Sequence, residues 1–407
     1  MINQTTVLIL AGGACHRFAP LVTDKTMLQV MGKPLIQHTL EALERVGFSD
    51  IVITTNQHNH DFLTNFSSNL HIQTISQKKS SGMADAVLTA RKIIKHQPLL
   101  IINATDFFAD KIFINLMKQI KLTKAEAILT AKEQTEYFDG GYLQIEGDHL
   151  IGIIEKPGPG KRPSDLVNLV FHWFKKPSDF IETLTSTQST GDDVYEQALS
   201  AFIKQNIVSY LPYEGDWQAV KYPHMIHQLT QLFLNSKLQT ETSSSARIHP
   251  TATIEGPVFI DKHVVIEAGA VIKGPVYIGE NTIIGNHTLI RNSIIESDCI
   301  VGFGSEIARS YIGPGCKLHH NFIGDSVLEK DVNPSYGTCF ANLRLDNQPI
   351  SISYPQGKVQ TNLNKFGAVV ASQVFLGVNC SVMPGTTIGC QAQAYPGQII
   401  KGYISSK

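Results

Sequence analysis

The second half of the chain begins 247-RIHPTATIEGPVFIDKHVVIEAGAVIKGPVYIGENTIIGNHTLIRN-292, and its period decides the fold there. Ile248, Ile254, Ile260, Ile266, Ile272, Ile278, Ile284 and Ile290 recur at every sixth position without a break. The phase slips by one to Ile295, Val301 and Ile307, then returns as Val370, Leu376, Val382, Ile388, Ala394 and Ile400. A helix repeats every 3.6 residues and a strand every 2, so neither produces this spacing. One inward aliphatic per six residues, with Gly, Asn or Asp at the turns, describes one face of a triangular coil. Residues 247–407 are therefore expected to stack as a parallel β-helix.

Upstream, Thr240 to Ala246 is small and polar, and residues 239–246 read as a linker. Residues 224–240 carry Ile226, Leu229, Leu232 and Phe233 at helical spacing. Residues 1–238 form the first domain, in which short apolar runs alternate with helical stretches from 7 to about 230. That alternation predicts a Rossmann-like, doubly wound α/β fold with a parallel sheet. The expected strands are 7–10, 51–54, 99–103, 126–131, 141–145 and 167–174, and 34–46 is the first long helix. Ligands of such sheets bind beyond the carboxyl ends of the strands.

The first strand runs into Ala11-Gly12-Gly13, where absent side chains let backbone amides approach an anion. Arg17 and Lys25 follow, and Gly32-Lys33-Pro34 turns into the helix. A strand, a glycine turn and two cations suit a polyphosphate. The pattern is neither a dinucleotide fingerprint nor a P-loop. Residues 7–36 as a whole resemble the signature of sugar-1-phosphate nucleotidylyltransferases, LAGGxGxRxxPLTxxxPKxMxxVxGKPLI. Leu10, Ala11, Gly12, Gly13, Arg17, Pro20, Leu21, Lys25, Met27, Val30 and Gly32 to Ile36 fall on it. Cys15 replaces its third glycine, and Asp24 replaces the proline before its lysine.

The resemblance continues along the domain. Gln77 and Gly82 lie in a segment similar to QxxxxGTAxAL, which implies that they read the base; a glutamine amide also matches O4 and N3 of uracil or thymine. Asp106 follows a buried strand, where the family has its magnesium-holding aspartate; a helix N-cap is the other reading of that carboxylate. Gly141, Glu155, Lys156 and Asn168 fall on the family's sugar-binding segments. Gly191-Asp192-Asp193 reads as a helix cap. At Trp217-Gln218-Ala219-Val220-Lys221, alanine stands where the family has a second acidic ligand. Lys221 shares a strand face with Ala219, so its ammonium either reaches the vacated cation position or is solvated.

In the coil, Leu318 to Ser326 and Asn333 to Asn342 resemble the acetyltransferase site of bifunctional UDP-N-acetylglucosamine pyrophosphorylase/glucosamine-1-phosphate N-acetyltransferases of the archaeal type. That resemblance implies a left-handed coil, a homotrimer and acetyl-CoA as second-site substrate. It makes His319 the base on the sugar amine, Asn333 a sugar ligand and Asn342 a neighbour of the acyl group, with Arg291 and Lys365 on phosphate. Phe322 replaces a tyrosine, and Pro334-Ser335-Tyr336 replaces I/F-G-A.

A net charge of −1 argues against nucleic acid or an anionic membrane as partner. No run has transmembrane length, and the start is unlike a signal peptide. Six cysteines without CxxC or zinc spacing read as free thiols of a cytoplasmic protein. The expectation is an enzyme that joins a pyrimidine nucleoside triphosphate to a sugar 1-phosphate with Mg2+, releasing pyrophosphate. The alternatives are a regulatory paralogue that binds nucleotide sugar and an acetyltransferase alone.

Overall fold

The computed structural model describes residues 4–78, 82–147, 149–189 and 193–406, so Gly191 and Asp192 of the expected cap lie outside the described residues. The chain divides into two compact units, Met1–Ala14 with Ile36–Trp217 and Cys15–Leu35 with Gln218–Lys407.

The first unit is built on a mixed sheet. Strands Leu99–Asn103, Thr6–Leu10, Asp50–Thr55 and His71–Ser76 lie side by side and parallel. The expected wholly parallel sheet is corrected beyond them. Leu166–Phe174 runs antiparallel to Leu99–Asn103 and to Ala127–Glu133, and Gly141–Glu146 pairs with His149–Glu155 as a hairpin. Each central strand alternates its apolar residues between two covered faces, which is why its sequence is continuously apolar. Val7, Ile9, Leu100 and Ile102 face helices Leu35–Val46 and Lys111–Leu122. Leu8, Leu10, Leu99 and Ile101 face helices Gly82–Ile94, Pro177–Ser186 and Val194–Gln205.

The second unit is the coil. Its short strands stack in parallel columns, one of nine strands and one of eight, with the third split into five and three. The six-residue aliphatics fill a single core, from Ile260 through Ile290, Ile307 and Leu376 to Ile400, joined by Cys299, Cys316 and Cys380. Residues 241–246, read above as linker, are the coil's first turn. Glu241 and Thr242 pair with Phe259 and Ile260, and Arg247 N donates to Val264 O at 2.8 Å. A coil corner uses the same small polar residues as a linker, so composition does not separate them. The helix at 224–240 is observed as Met225–Ser236. Between Phe340 and Ala368 the coil is interrupted by an excursion containing the hairpin Ser351–Tyr354/Gly357–Gln360.

Candidate functional site

In the first unit, Leu10, Ala11 and Gly12 are buried at the carboxyl end of the first strand. The turn is held by two asparagines that sequence reasoning passed over. Asn59 Nδ2 donates to Ala11 O at 2.9 Å, and Asn56 Nδ2 donates to Gly13 O at 3.1 Å. Both are buried and brace each other, with Asn56 N donating to Asn59 Oδ1 at 3.0 Å. The available signal was position, since Asn56 directly follows the second parallel strand.

Gln77 occupies the same place after strand His71–Ser76. Its Nε2 donates to Asp85 Oδ2 at 2.6 Å, and an added Cβ on Gly12 would fall 2.0 Å from its Oε1. The structure therefore brings Gly12 and Gln77 together, and Asp85 fixes the amide with its carbonyl toward the glycine. Gly82, at φ +89°, starts the helix that carries Asp85.

Asp106 opens strand Asp106–Phe108 and is 5% exposed. It accepts hydrogen bonds from Asn103 Nδ2 at 2.8 Å and Trp217 Nε1 at 3.2 Å. It opens a strand and not a helix, so the N-cap reading does not hold. The described residues contain no cluster of three or more His, Cys, Asp or Glu able to hold a metal. One hard carboxylate does suit a magnesium ion that keeps phosphate and water as its other ligands.

The expected sugar residues converge. Gly141 pairs with Glu155 across the hairpin, and a Cβ on Gly141 would meet Glu155 Oε2 at 3.1 Å and Asn168 Cβ at 3.6 Å. Lys156 Nζ lies 3.2 Å from Glu155 Oε1. Behind Asn168 runs a buried relay that sequence reasoning missed. Its Oδ1 is 3.0 Å from His172 Nε2, and His172 Nδ1 is 2.9 Å from the Tyr195 hydroxyl. Complete burial lowers the pKa of His172 to about 3, so the ring is neutral. A neutral ring that donates through Nε2 accepts through Nδ1. The relay therefore runs from Tyr195 O–H to His172 and from His172 N–H to Asn168 Oδ1, which assigns the Asn168 Nδ2 face to donation.

In the second unit, Lys25 Nζ donates to Lys221 O at 3.0 Å and lies 5.3 Å from the Phe18 ring centroid. Lys221 thus contributes its carbonyl to Lys25. Arg17 is exposed. Cys15 adopts φ +55°, the left-handed conformation for which the family's glycine is suited. Burial, then the nearby Asp24 carboxylate, push its thiol pKa up. Ala219 is 2% exposed.

On the coil, the acetyltransferase residues fall in separate groups. Asn333 and His319 are outward positions of successive coils, Lys317 N donating to Val332 O at 3.0 Å and Ser335 following the inward Pro334. His319 is exposed, and its neighbour His320 lines a cleft that His319 does not. A cleft of about 510 Å³ is lined by His320, Glu306, Phe322, Tyr336, Cys339 and Asn379, among others. His320 is stacked between Phe303 and Tyr336, with centroids at 6.0 and 5.0 Å. Its Nδ1 is 3.0 Å from Phe303 O, and a carbonyl only accepts, so Nε2 is the basic nitrogen. Arg291 is paired with Glu306 at 2.6 Å. Asn342 donates at 2.5 Å to Asp325, which also binds Arg309 at 2.6 and 2.8 Å and lies 3.5 Å from His227. Burial opposes the charge of Asp325, but the nearby His227 ring and hydrogen bonds from Arg309 and Asn342 hold its carboxyl below the usual range. Lys365 is exposed, its backbone bridged to Leu343.

Comparison with known proteins agrees with both halves. A family model described as Nucleotidyl transferase matches residues 6–220, and one described as GMPPB C-terminal domain matches residues 243–360. A bifunctional sugar-1-phosphate nucleotidylyltransferase/acetyltransferase of Sulfurisphaera tokodaii is 30% identical over 401 residues, covering 96% of each chain. A protein of Methanococcus aeolicus named bifunctional protein GlmU is 32% identical over 389 residues, covering 94% of this chain and 91% of its own. One of the same name from Methanocaldococcus jannaschii is 29% identical with the same coverage.

Proposed function

This chain belongs to the nucleotidyl transferase family, and from that premise we propose that it makes a nucleotide sugar from a pyrimidine nucleoside triphosphate and a sugar 1-phosphate. A phosphate oxygen of the sugar attacks the α-phosphorus in line. The bond to the bridging oxygen breaks, and pyrophosphate leaves with that electron pair. UDP- or dTDP-linked glucose or N-acetylglucosamine is the product class.

The observation that carries this reading is the convergence of Gly141, Glu155 and Asn168, with the His172 relay orienting the Asn168 amide. Glu155 accepts from sugar hydroxyls, Asn168 donates to them, and Lys156 neutralises the sugar phosphate. The turn at Gly12 and Gly13 takes triphosphate oxygens, the Ala11 amide being held by Thr54 O at 2.9 Å and Leu10 by the sheet, and Gln77 with Gly82 reads the base. Arg17 and Lys25 offset the charge that develops on the departing pyrophosphate. Asp106 holds Mg2+, which when bound screens the triphosphate oxygens. Positioning supplies most of the remaining rate.

The coil is proposed as an acetyl-CoA-dependent N-acetyltransferase acting on an amino sugar phosphate, with the base in the His319-His320 pair. Asn333, Asn342, Arg291 and Lys365 are its substrate residues by resemblance. Exposed Ile283, Ile300 and Phe375 on one strand column favour assembly of the coil as a homotrimer. No helix among the described residues is long and apolar enough to cross a membrane. A cytoplasmic enzyme with no nucleic-acid partner is the proposed setting.

Pyrophosphate release tests the reading. Wild-type protein with Mg2+, UTP or dTTP and glucose 1-phosphate or N-acetylglucosamine 1-phosphate is expected to turn over, and Asp106→Asn to abolish turnover. Nucleotide binding without release in any pairing would replace the enzyme with a binding paralogue. Acetyl-CoA consumption without pyrophosphate release would leave the acetyltransferase alone.

A further inference from the structure

The second unit buries two carboxylates that the chemistry above does not use. Glu329 is 3% exposed and Glu296 is 1% exposed. A carboxyl group taken out of water persists only where donors satisfy its oxygens. For both residues, the donors include backbone amides of residues 15–35. Thr23 N donates to Glu329 Oε1 at 2.8 Å, and Val22 N lies 3.2 and 3.3 Å from its two oxygens. Ser372 N, from the coil, donates to Glu329 Oε2 at 2.8 Å. Met31 N and Gly32 N donate to the two oxygens of Glu296 at 2.7 and 2.9 Å.

The two grips bracket Lys25. One takes the amides two and three residues before it, and the other takes those six and seven residues after it. Between them Asp24 accepts from Thr26 N at 2.9 Å and caps the short turn Lys25–Met27, and the Tyr311 hydroxyl donates to Gln29 O at 2.8 Å. Gly32 fits its grip closely, since a Cβ there would sit 2.6 Å from the Tyr277 hydroxyl. A coil that served only as a trimerisation rod has no use for two buried carboxylates at this surface. Apolar residues of similar volume would commonly leave it as stable or more so. What a carboxylate adds is direction, because it accepts two amides and so fixes the path of the chain that carries them.

We propose that Glu296 and Glu329 are positioning residues for nucleotidylyl transfer. From the coil they hold the 15–35 segment in the conformation that presents Arg17 and Lys25. This rests on the nucleotidylyltransferase reading above. The coil is in this respect a structural part of the pyrophosphorylase activity.

The test is steady-state kinetics of the full-length protein with Glu329→Ala, Glu329→Gln, Glu296→Ala and Glu296→Gln, following pyrophosphate release. Each alanine variant is expected to lower kcat/KM for the triphosphate by about ten- to a hundredfold, the scale of one or two lost charge-assisted bonds. The KM for sugar 1-phosphate stays within about twofold of wild type, since no sugar residue is touched. Each glutamine variant keeps one acceptor oxygen and is expected to recover part of the loss. Hydrogen exchange of peptides spanning 15–35 gives a readout independent of turnover: slow in wild type, faster in every variant. Wild-type kinetics in both alanine variants would overturn the proposal, as would equal losses for both substrates. Should an alanine variant fail to fold, the isosteric glutamine variants and wild-type exchange decide; rapid exchange of 15–35 in wild type refutes the clamp. An inactive wild type with a protected segment would sink the nucleotidylyltransferase reading instead.

Discussion

Gly12→Ala is the sharpest probe of the nucleotide end. The added methyl would lie 2.0 Å from Gln77 Oε1 and 3.0 Å from Gln77 Cβ and Cδ. An ordinary carbon–oxygen contact begins near 3.4 Å, so the amide oxygen must retreat by about 1.4 Å. Because Cβ is also crowded, rotation at the tip alone does not relieve the clash, and the whole side chain has to swing. That motion breaks the 2.6 Å bond to Asp85. A hydrogen bond to a charged partner contributes about 1.5–3 kcal/mol, so its loss corresponds to roughly ten- to a hundredfold in kcat/KM for the triphosphate. The assay is pyrophosphate release under varied UTP or dTTP at fixed sugar 1-phosphate. A double-mutant cycle isolates the cause: a Gln77→Ala background removes the clashes with Oε1 and Cδ and leaves only the 3.0 Å contact with Cβ, so Gly12→Ala is expected to cost much less there than in wild type. Wild-type constants for Gly12→Ala, or full additivity with Gln77→Ala, would refute the claim that Gly12 exists to admit Gln77.

Other outcomes follow from single contacts. In an acetyl-CoA consumption assay His320→Ala is expected to lose at least about a hundredfold while His319→Ala retains most activity, because only His320 has its ring fixed with Nε2 as base; the opposite ranking restores His319. Burial pushes the carboxyl pKa of Glu296 up to about 7 against the hydrogen bonds from Gly32 and Met31, with Asp261 adding to the rise. Desolvation outweighs the two amide bonds that favour the charge, so stability is complete below the unfolded value near 4.5, and the carboxylate that takes both amides is reached at a cost of about 3 kcal/mol as pH climbs to about 7. Thermal unfolding at pH 4.5 and 8 is expected to show Glu296→Gln gaining on wild type as pH rises; a constant gap contradicts it. Cys15→Gly removes a left-handed non-glycine residue and is expected to stabilise by about 1 kcal/mol, read as a raised midpoint in thermal unfolding; an unchanged or lowered midpoint would show that the Cys15 side chain offsets its strain.

Much of this architecture is written in the sequence because it is periodic. The coil's inward aliphatics and the first unit's central strands are spaced by burial alone, and strands such as Leu99–Asn103 fall where apolar runs put them. Strand His71–Ser76 was missed because it is an edge strand of the sheet and none of its residues is fully buried. His149–Glu155 was missed because Gly152 and a register shift interrupt its pattern. Candidate site residues could be nominated where they carry a motif of their own, whereas those that support them could not. Asn56, Asn59 and the His172–Tyr195 relay act through buried hydrogen bonds that no local spacing announces. Glu296 and Glu329 each follow an inward aliphatic, Ile295 and Leu328, where a turn residue is expected. Only the folded path of residues 15–35 reveals what they accept.

The departures from the family signature differ in weight once backbone is separated from side chain. Cys15 adopts a positive φ that glycine takes without strain, and Asp24, at φ −57°, has a φ that proline also adopts while adding an N-cap. Both backbone conformations are ones the replaced residues would adopt, so neither substitution argues for a disabled enzyme. Ala219 does remove something, since a methyl supplies no ligand. The decisive comparison is therefore wild type against Ala219→Asp across magnesium concentrations. The new carboxylate would occupy a position now 2% exposed, where an unpaired charge is costly. Magnesium is therefore expected to raise the unfolding temperature of Ala219→Asp by more than that of wild type, and to reach half-maximal pyrophosphate release at a concentration about tenfold lower. If the variant shows wild-type magnesium dependence in both measurements, position 219 lies outside the cation's reach, and the missing acid has no bearing on whether this chain is active.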